Sequence, residues 1–566
     1  MGITMKRFLK EAEVFDSSNV LHYIAEISQF HRIQGSKELP EAVRFIREEL
    51  RIWGINAGLY EEFYDGKSWF LTLKSPIAWD LVHGKVEVLD KTLTTSQSPL
   101  VVMAHSPSGK AEGEVVHIVR EEDWENAGGK IVLVGKEWRD AYRKANEAGA
   151  VGFIAYREGT GEAIPYIGLF LTKDDLEWAK IPAVAIPESL ARGIMGKLNA
   201  GERVEARVEV EAQINEHQVL PILYAEIGKE PFILFTAHIC HPKPGANDNA
   251  SGSAMLMELA RVLSRLYDDS FRFGFAFLWI PEYYGTQAFV ERYAELEKYY
   301  AVINLDMVGG SEDRAGSTIM LVRTPLSRFS VVSGVLEYFL ELANGKGKSF
   351  SGSPMPRLKL KSYPYEMGSD HDVFNFFGIP SVMPITWPDR FYHSSEDTVE
   401  KVSKTSIEII GKAVLATALA LAKATGDELG RFARGYAMKY LGELSMERDT
   451  ENAEKLVMMG LARDSRFLGI ESGHPFERKP WMRWVRKGRI SGELIKSIDE
   501  NVHGEFKELT RDRKMLVHLH ELLMLGELLP KEEAMRSLRE EFGEVEEEKL
   551  ERLLDLLEEI GVIERL

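Results

Sequence analysis

Five residues with metal-binding or proton-transfer side chains lie just after predicted strands or in the loop that follows one. His238 ends the apolar run PFILFTA, Glu282 ends FAFLWIP and Asp306 ends YAVINL. His393 follows the predicted strand GIPSVMPI after a loop, and Asp248 lies between the first of these strands and the next helix. In parallel α/β sheets the carboxyl ends of the strands form the ligand-binding edge. The sequence therefore predicts that these five side chains meet at one edge of a sheet.

The donor types indicate a divalent-metal hydrolase. Imidazole and carboxylate groups suit Zn²⁺, and a catalytic zinc site keeps one coordination position open for water. Asp248 could bridge two ions about 3.5–4 Å apart, as the shared carboxylate does in two-metal hydrolases. A carboxylate that is not a ligand must then accept the proton of the attacking water. We expect one or two zinc ions per chain, with cobalt or manganese as substitutes.

Each of these residues also has an ordinary structural interpretation. A histidine at a strand end is more often a satisfied structural residue than a ligand. Asp248 could cap the helix that follows it, and Asp306, which precedes MVGG, could form a turn. The coincidence of five such residues at one predicted sheet edge favours the metal site.

The elements that must position these residues alternate along the chain. Between about Leu220 and Gly426 strands and helices follow one another, which predicts an α/β fold whose sheet is mainly parallel at its centre. Short alternating runs with Gly and Pro between them precede this region, and helices follow it. We predict five segments: 1–78, the N-terminal part of the main domain; 79–214, an inserted β-rich module; 215–426, the main domain; 427–510, a helical connector; and 511–566, a winged-helix-like module of three helices.

Composition narrows the class of protein. The chain has 566 residues, a net charge of −18 and a single cysteine, Cys240. The acidic balance argues against a dedicated nucleic-acid or anionic-membrane surface. One cysteine cannot form an intramolecular disulfide and fits a reducing compartment. Without an apolar signal region at the N-terminus, or an apolar run near the roughly 18 residues of a membrane span, we expect a cytoplasmic protein.

Four motifs in the main domain carry a family resemblance. AHICHPKPGANDNASGSAMLMELARVL, INLDMVG, GSDHDVFNFFGIPSV and FYHSSEDTVEKV together resemble the M28 zinc aminopeptidases, within the wider clan of di-zinc exopeptidases. The resemblance implies their three-layer, phosphorylase/hydrolase-like fold with a mixed, mainly parallel sheet. The inserted module, with NAGGKIVLVG, ANEAGAVGFIAY and IPAVAIP, resembles the protease-associated (PA) domain.

The resemblance also implies roles for the five residues. His238 and Asp306 would bind one metal, Asp248 would bridge to a second, and His393 would bind that second ion. Glu282 lies where the family has two adjacent glutamates, one a general base and the next a ligand of the second metal.

The sequence departs from the family pattern at two positions. The family has His-x-Asp at the first ligand, with the aspartate orienting the imidazole, whereas Cys240 occupies that place here. The glutamate pair is reduced to Glu282 followed by Tyr283. We favour Glu282 as the base, with a ligand role as the alternative. The second metal site would then be weaker, left with Asp248 and His393.

Further residues near the motifs have predicted supporting roles. Strand alternation and Pro242 predict that His241 points away from the site, so it is the weaker candidate for an extra ligand. Cys240 is expected to pack beside the site rather than bind metal. His371 is expected to order the loop near the substrate and Asp370 to hydrogen-bond behind the ligands.

The preferred function is an aminopeptidase that acts on short peptides. One alternative is another reaction on the same scaffold, such as amidohydrolysis, carboxypeptidase action or glutaminyl cyclisation. A second is a non-catalytic binding protein that works through residues 511–566. That segment holds 16 Asp and Glu against 9 Lys and Arg, so nucleic acid is a poor partner for it. A role in protein contacts or in a homo-oligomer fits it better.

Overall fold

The computed structural model describes residues 5–471 and 477–566 and contains two large sheets. The larger sheet has eight strands and belongs to the main domain. Its strands lie in the order Ala57–Tyr64, Gln218–Ile227, Gly274–Ile280, Phe232–His238, Tyr299–Asn304, Ser381–Trp387, Thr318–Val322 and Leu360–Tyr363.

Parallel strands form the centre of this sheet, as the alternation of elements predicted. The strand Phe232–His238 is buried along its whole length because helices cover both faces of the sheet, which explains its unbroken apolar sequence. The helices of this domain are Lys6–Glu11, Ser17–Ile27, Glu38–Ile52, Gly252–Leu266, Tyr284–Arg292, Glu312–Ala315, Val331–Asn344, His371–Phe376 and Lys404–Lys423.

The register of the parallel strands brings three of the predicted site residues to one level. In the parallel pair of Phe232–His238 and Tyr299–Asn304, Thr236 lies opposite Asn304. His238 and Asp306, each two residues further along the chain, therefore lie next to each other at the carboxyl edge. His238 itself lies opposite Ile280, two residues before Glu282. The carboxyl edge of the sheet therefore collects these side chains, as the sequence predicted.

The inserted segment forms the second sheet, which has seven strands. Their order is Lys91–Thr94, Ala78–Val88, Glu205–Asn215, Gly109–His117, Ile131–Val134, Gly152–Ala155 and Ala183–Ala185, with the helices Trp138–Glu147 and Glu188–Asn199 alongside. This sheet has its own apolar core, separate from that of the main domain. The resemblance to a PA domain stays a prediction.

The C-terminal region packs onto the main domain and shares its apolar core. The predicted helical connector is wrong in one respect, because it also contains the strand Met482–Trp484, which pairs with Ile563–Arg565 near the C-terminus. The winged-helix comparison stays a prediction. The helices of this region are Gly426–Ser445, Glu451–Leu468, Gly492–Ile498, Glu500–Leu509, Arg513–Gly526, Lys531–Phe542 and Glu547–Glu559.

One helix, Lys404–Lys423, is long and apolar enough to cross a membrane. However, 83% of its most apolar window is buried inside the protein, as is common for a core helix. Its apolar residues contact the helices that cover the large sheet.

The N-terminal segment is fastened to the site loop through Arg32, whose side chain is fully buried. The guanidinium donates to the carbonyl oxygens of Ile239 at 2.8 Å, Ile27 at 2.6 Å and Gly245 at 3.2 Å. The carbonyl oxygen of Arg32 in turn accepts from the amide of His241 at 2.9 Å. Arg32 thus holds both ends of the loop at residues 239–245.

The variant Arg32→Met should lower the free energy of unfolding by about 3 kcal/mol, because several buried carbonyl groups lose a charged donor. Denaturant unfolding of the purified protein measures this change. Arg44→Met is the matched control, since Arg44 is 62% exposed and lies 3.9 Å from Glu41. Its effect should stay within about 0.5 kcal/mol. Equal stabilities of the two variants would contradict the anchoring role.

Candidate metal centre

The first group of donor atoms surrounds His238. Its Nε2 lies 3.4 Å from Oδ1 of Asp248 and 3.3 Å from Oδ1 of Asp306. The carboxylate of Glu282 joins this group, since ligand atoms of His238, Glu282 and Asp306 all lie within 4.8 Å of one another. The structure thus brings together four of the residues that the sequence singled out.

The second group lies on the other side of the Asp248 carboxylate. Oδ2 of Asp248 is 3.2 Å from Nε2 of His393 and 3.4 Å from Nε2 of His241. Ligand atoms of these three residues also lie within 4.8 Å of one another. Each oxygen of the Asp248 carboxylate therefore faces a different donor group, which is the geometry expected of a bridging carboxylate.

The prediction that His241 points away is wrong, and with it the expectation of a two-donor second site. Strand alternation no longer applies there, because the strand ends at His238. The following segment bends to form a bridge with Arg32, which turns the His241 imidazole toward Asp248. That contact joins residues distant in sequence, so no local pattern indicated it.

Backbone carbonyl groups orient two of the imidazoles. Nδ1 of His238 lies 3.1 Å from the carbonyl oxygen of Cys240, and Nδ1 of His241 lies 2.9 Å from that of Pro242. A carbonyl oxygen can only accept, so Nδ1 carries the proton in each ring and Nε2 presents its lone pair. The Cys240 backbone therefore replaces the orienting aspartate that the sequence lacks.

The GANDNASG loop is shaped by its asparagines and glycines. Asn249 Nδ2 donates to the carbonyl oxygens of His238 at 3.0 Å and Leu305 at 2.9 Å, and its Oδ1 accepts from the amide of Met307 at 3.0 Å. This one side chain ties together the ends of two strands. At Gly245, with φ of 53°, an added Cβ would lie 2.4 Å from the His241 ring. The loop requires glycine at that position.

Asp397 and the histidines stabilise the buried Asp248. The carboxylate of Asp397 accepts from the amides of Asn247 at 2.8 Å and Asp248 at 3.0 Å, which fixes the backbone of the loop. Burial alone would raise the pKa of Asp248, but His241, His238 and His393 together hold it well below its ordinary value. Asp248 is therefore an anion between two sets of imidazoles.

A network behind Glu282 fixes its backbone. The amide of Glu282 donates to Sγ of Cys240 at 3.1 Å, and the amide of Tyr283 donates to Oδ1 of Asp370 at 2.8 Å. The Tyr283 hydroxyl donates to Asp372 at 2.5 Å, so its ring is held away from the second group. His371 contacts the carbonyl oxygen of Glu366 at 2.9 Å, beside the site rather than in it.

The electrostatics of the site favour a bound cation. Burial, together with the Asp306 and Asp370 carboxylates, raises the pKa of Glu282 to about 8, although His238 opposes the rise. Nε2 of His241 is buried and has no hydrogen bond among the described residues. Clustered carboxylates and imidazole nitrogens are donors that zinc prefers, so the residues fit zinc.

The inserted domain touches the second group directly. The amide of Tyr166 donates to the carbonyl oxygen of His393 at 2.7 Å, and the Tyr166 ring lies 5.2 Å from that of His241 and 5.0 Å from that of His393. The insertion therefore forms part of the wall of the site. No motif in the sequence indicated this contact.

Two cavities meet at the centre. One, of about 820 Å³, is lined by His238 and Asp306 and by the apolar side chains Met307, Met320, Val322, Leu360, Met383 and Ile385. The charged side chains Lys359, Lys361, Glu366 and Arg513 also line it. The other, of about 640 Å³, lies beside His241 and is lined by residues of the inserted domain and of the C-terminal region. Asp248, Glu282 and His393 border both cavities. A substrate can therefore extend to either side of the donor groups.

Part of the main domain matches a known protein family. Residues 223–418 match the family described as Peptidase family M28. Aminopeptidase YwaD of Bacillus subtilis (strain 168) is 27% identical over 312 residues, which are 51% of this chain and 62% of that protein. The chain therefore matches less than two thirds of the length of this curated relative.

Comparison with solved structures supports the fold. BSAP, a zinc aminopeptidase from Bacillus subtilis, gives a TM-score of 0.52 at 20% identity, covering 72% of this chain and 96% of that chain. A peptidase M28 precursor from Shewanella amazonensis SB2B gives a TM-score of 0.54 at 18% identity, covering 74% and 95%. The fold class predicted from the sequence is confirmed.

Replacing His241 should remove the zinc ion from the donor group that this residue helps to form. His241→Ala leaves only Asp248 and His393 there, so bound zinc should fall from about two ions per chain to about one. Elemental analysis after dialysis against a weak chelator measures the ratio. His217→Ala is the control, because that ring is exposed and packs against Phe63, away from the donor groups. Two firmly retained ions in the His241 variant would show that this residue is not a ligand.

Proposed function

We propose that this chain, whose residues 223–418 belong to peptidase family M28, is a zinc aminopeptidase that removes N-terminal residues from short peptides. The observation that carries the proposal is a pair of adjacent donor groups: His241, Asp248 and His393 form one, and His238, Glu282 and Asp306 form the other. Asp248 connects them, since its Oδ1 lies 3.4 Å from His238 and its Oδ2 lies 3.2 Å from His393. The sequence relative named as an aminopeptidase supports the same activity.

The donor groups assign a place to each ligand. His238 and Asp306 would hold one zinc ion, and His241 and His393 would hold the other, with Asp248 between them. Each ion would then have three protein ligands and an open position, which is the usual arrangement of a catalytic zinc. His241 takes the place of the glutamate that the family resemblance led us to expect at Tyr283.

Glu282 is the proposed general base. When bound, the zinc ions would polarise the scissile carbonyl group and lower the pKa of the attacking water toward about 7. Glu282 accepts a proton from this water as it attacks, and returns it to the amine of the departing peptide. Its backbone is fixed by Sγ of Cys240, which keeps the carboxylate next to His238 and Asp306.

The cavity beside His238 supports a preference for certain N-terminal side chains. Met320, Val322, Met383 and Ile385 supply an apolar part of the lining of this cavity, which Lys359, Lys361, Glu366 and Arg513 also line. An apolar side chain would lose contact with water there, which stabilises binding by about 25 cal/mol per Å² buried. We therefore propose that N-terminal residues with large apolar side chains are preferred.

Other reactions known for this type of fold require different substrates. A carboxypeptidase or a general amidohydrolase cleaves substrates whose amino terminus is acetylated, whereas an aminopeptidase needs a free amine. Glutaminyl cyclisation would require an N-terminal glutamine and release ammonia. Comparing free and acetylated leucyl peptides separates these activities, and equal cleavage of both would overturn the aminopeptidase assignment.

The C-terminal module has a proposed role as part of the site. Its residues Arg513 and Leu516 line a cavity beside the donor groups, which supports a structural role rather than independent binding of another molecule. A cytoplasmic location, suggested by the single cysteine, fits small-peptide substrates.

The variant Glu282→Gln should lower kcat on a leucyl peptide by about 10³-fold, because the amide cannot accept the proton of water. Zinc content should stay as in the natural protein, since the ligands are intact. Steady-state kinetics and elemental analysis measure the two quantities.

The exposed Glu297→Gln is the matched control and should retain full activity. If Glu282→Gln cleaved the peptide at the normal rate, the base would have to be another group. Less than about 0.3 zinc ions per chain, with no gain in activity on adding Zn²⁺ or Co²⁺, would contradict the enzyme proposal itself.

A further inference from the structure

The cavity beside His241 is rich in arginine, although the chain as a whole is acidic. Its volume of about 640 Å³ lies within the range of small-ligand sites. The four arginines that line it come from two separate parts of the chain: Arg139 and Arg157 from the inserted domain, and Arg489 and Arg513 from the C-terminal region.

Two of these arginines already face carboxylates. Arg139 lies 3.4 Å from Glu493 and 3.5 Å from Asp175. Arg513 is 67% exposed, lies 3.8 Å from Glu366 and donates to the carbonyl oxygen of Met367. Neither charge needs a further partner.

Arg489 is different. It is partly buried, and its guanidinium lies 4.2 Å from the centre of the Tyr283 ring. Within residues 5–471 and 477–566, the guanidinium has neither a hydrogen bond nor an ion pair. Burial alone would lower the pKa of Arg489, but Tyr283 and the Glu282 and Asp372 carboxylates raise it. The guanidinium is therefore charged, and its N–H groups can donate to a ligand because they have no acceptor among the described residues.

Arg157 faces the same cavity from the opposite wall. Its guanidinium donates to the carbonyl oxygens of Tyr166 at 3.1 Å and His393 at 3.4 Å and lies 5.2 Å from the centre of the Trp138 ring. Among the described residues it has no carboxylate within ion-pair distance. The cavity therefore has two guanidinium groups that form no direct ion pair with a carboxylate among the described residues.

We propose that Arg489, assisted by Arg157, binds the C-terminal carboxylate of a dipeptide or tripeptide substrate. The planar guanidinium matches a carboxylate in shape and hydrogen-bond pattern. The inference rests on the proposed function, in which the N-terminal side chain occupies the cavity beside His238. The departing part of the peptide then extends into the arginine-rich cavity, where a free carboxylate meets Arg489.

The walls of this cavity would limit the length of the bound peptide substrate. The inserted domain and the C-terminal region contact each other beside this cavity through the ion pairs Arg139–Glu493 and Asp140–Lys507. The carbonyl oxygen of Arg489 accepts from Thr72 at 2.8 Å, which fixes the segment that carries the guanidinium. A long peptide would have to separate these contacts, whereas a dipeptide or tripeptide ends before them.

The kinetic test compares Leu-Gly with its C-terminal amide. For the natural protein, kcat/KM should be about 10- to 100-fold higher with the free acid than with the amide. The difference should arise from a lower KM for the free acid, because the amide cannot form the charge-assisted hydrogen bond. Arg489→Ala should reduce this ratio to about 1. Arg489→Lys should restore part of it, since the charge remains but the planar fork does not.

Arg486→Ala is the matched control from the same segment, because its side chain is exposed and does not line the cavity. It should keep the full ratio. Arg157→Met provides a second, independent variant and should lower the ratio by about 3- to 10-fold. An unchanged ratio in folded Arg489→Ala protein would overturn the proposal.

A binding measurement avoids dependence on turnover. Calorimetry with zinc-loaded Glu282→Gln protein should give a Kd for Leu-Gly about 10- to 100-fold lower than for Leu-Gly amide. Leu-Asp amide, whose only carboxylate is on a side chain, should bind like Leu-Gly amide. Tighter binding of Leu-Asp amide than of Leu-Gly would overturn the assignment to the terminal carboxylate.

The outcomes separate this inference from the function on which it rests. If leucyl p-nitroanilide and Leu-Gly amide are cleaved, but the free acid has no advantage, the peptidase proposal stands and the carboxylate site is wrong. If neither peptide nor the anilide is cleaved by zinc-loaded protein, the proposed function fails. A free-acid preference in calorimetry would then still support the carboxylate site.

Discussion

The burial of one carboxylate, Asp248, is the constraint on which the site depends. Its two oxygens face separate groups, His238 on one side and His241 with His393 on the other. A buried anion is stable only where opposite charge or hydrogen bonds compensate the loss of water. The imidazoles, and the cations they can bind, supply that compensation. The rest of the loop therefore has to hold Asp248 within a few ångströms of three rings.

The surrounding fold meets this requirement with buried polar contacts rather than with the loop alone. Asn249 joins the ends of two parallel strands, Asp397 fixes the backbone amides before and at Asp248, and Arg32 holds the turn from behind. Each contact joins the loop to a distant part of the chain. The inserted domain and the C-terminal region then complete the walls, so the site is built from several segments of one molecule.

The sequence was sufficient to predict the site residues that lie at the ends of buried strands. His238, Glu282 and Asp306 each follow a buried strand, and the parallel register brings them to the same edge. His241 was wrongly predicted, because its direction depends on a bridge to Arg32 and not on strand alternation. The orienting role of the Cys240 backbone could not be predicted either, since a carbonyl group leaves no signal in the side-chain sequence. The positions of Tyr166 and Arg489 depend on how separate domains pack, which no local pattern encodes.

We propose that the Asp248 carboxylate joins two zinc sites, the second of them completed by His241. Anomalous diffraction at the zinc edge from crystals of the zinc-loaded protein tests this directly. The account predicts two peaks about 3.5–4 Å apart on either side of the Asp248 carboxylate, with Nε2 of His241 at about 2.0–2.1 Å from one of them. A single peak beside His238 and Asp306, with the His241 ring not bound to metal, would contradict it.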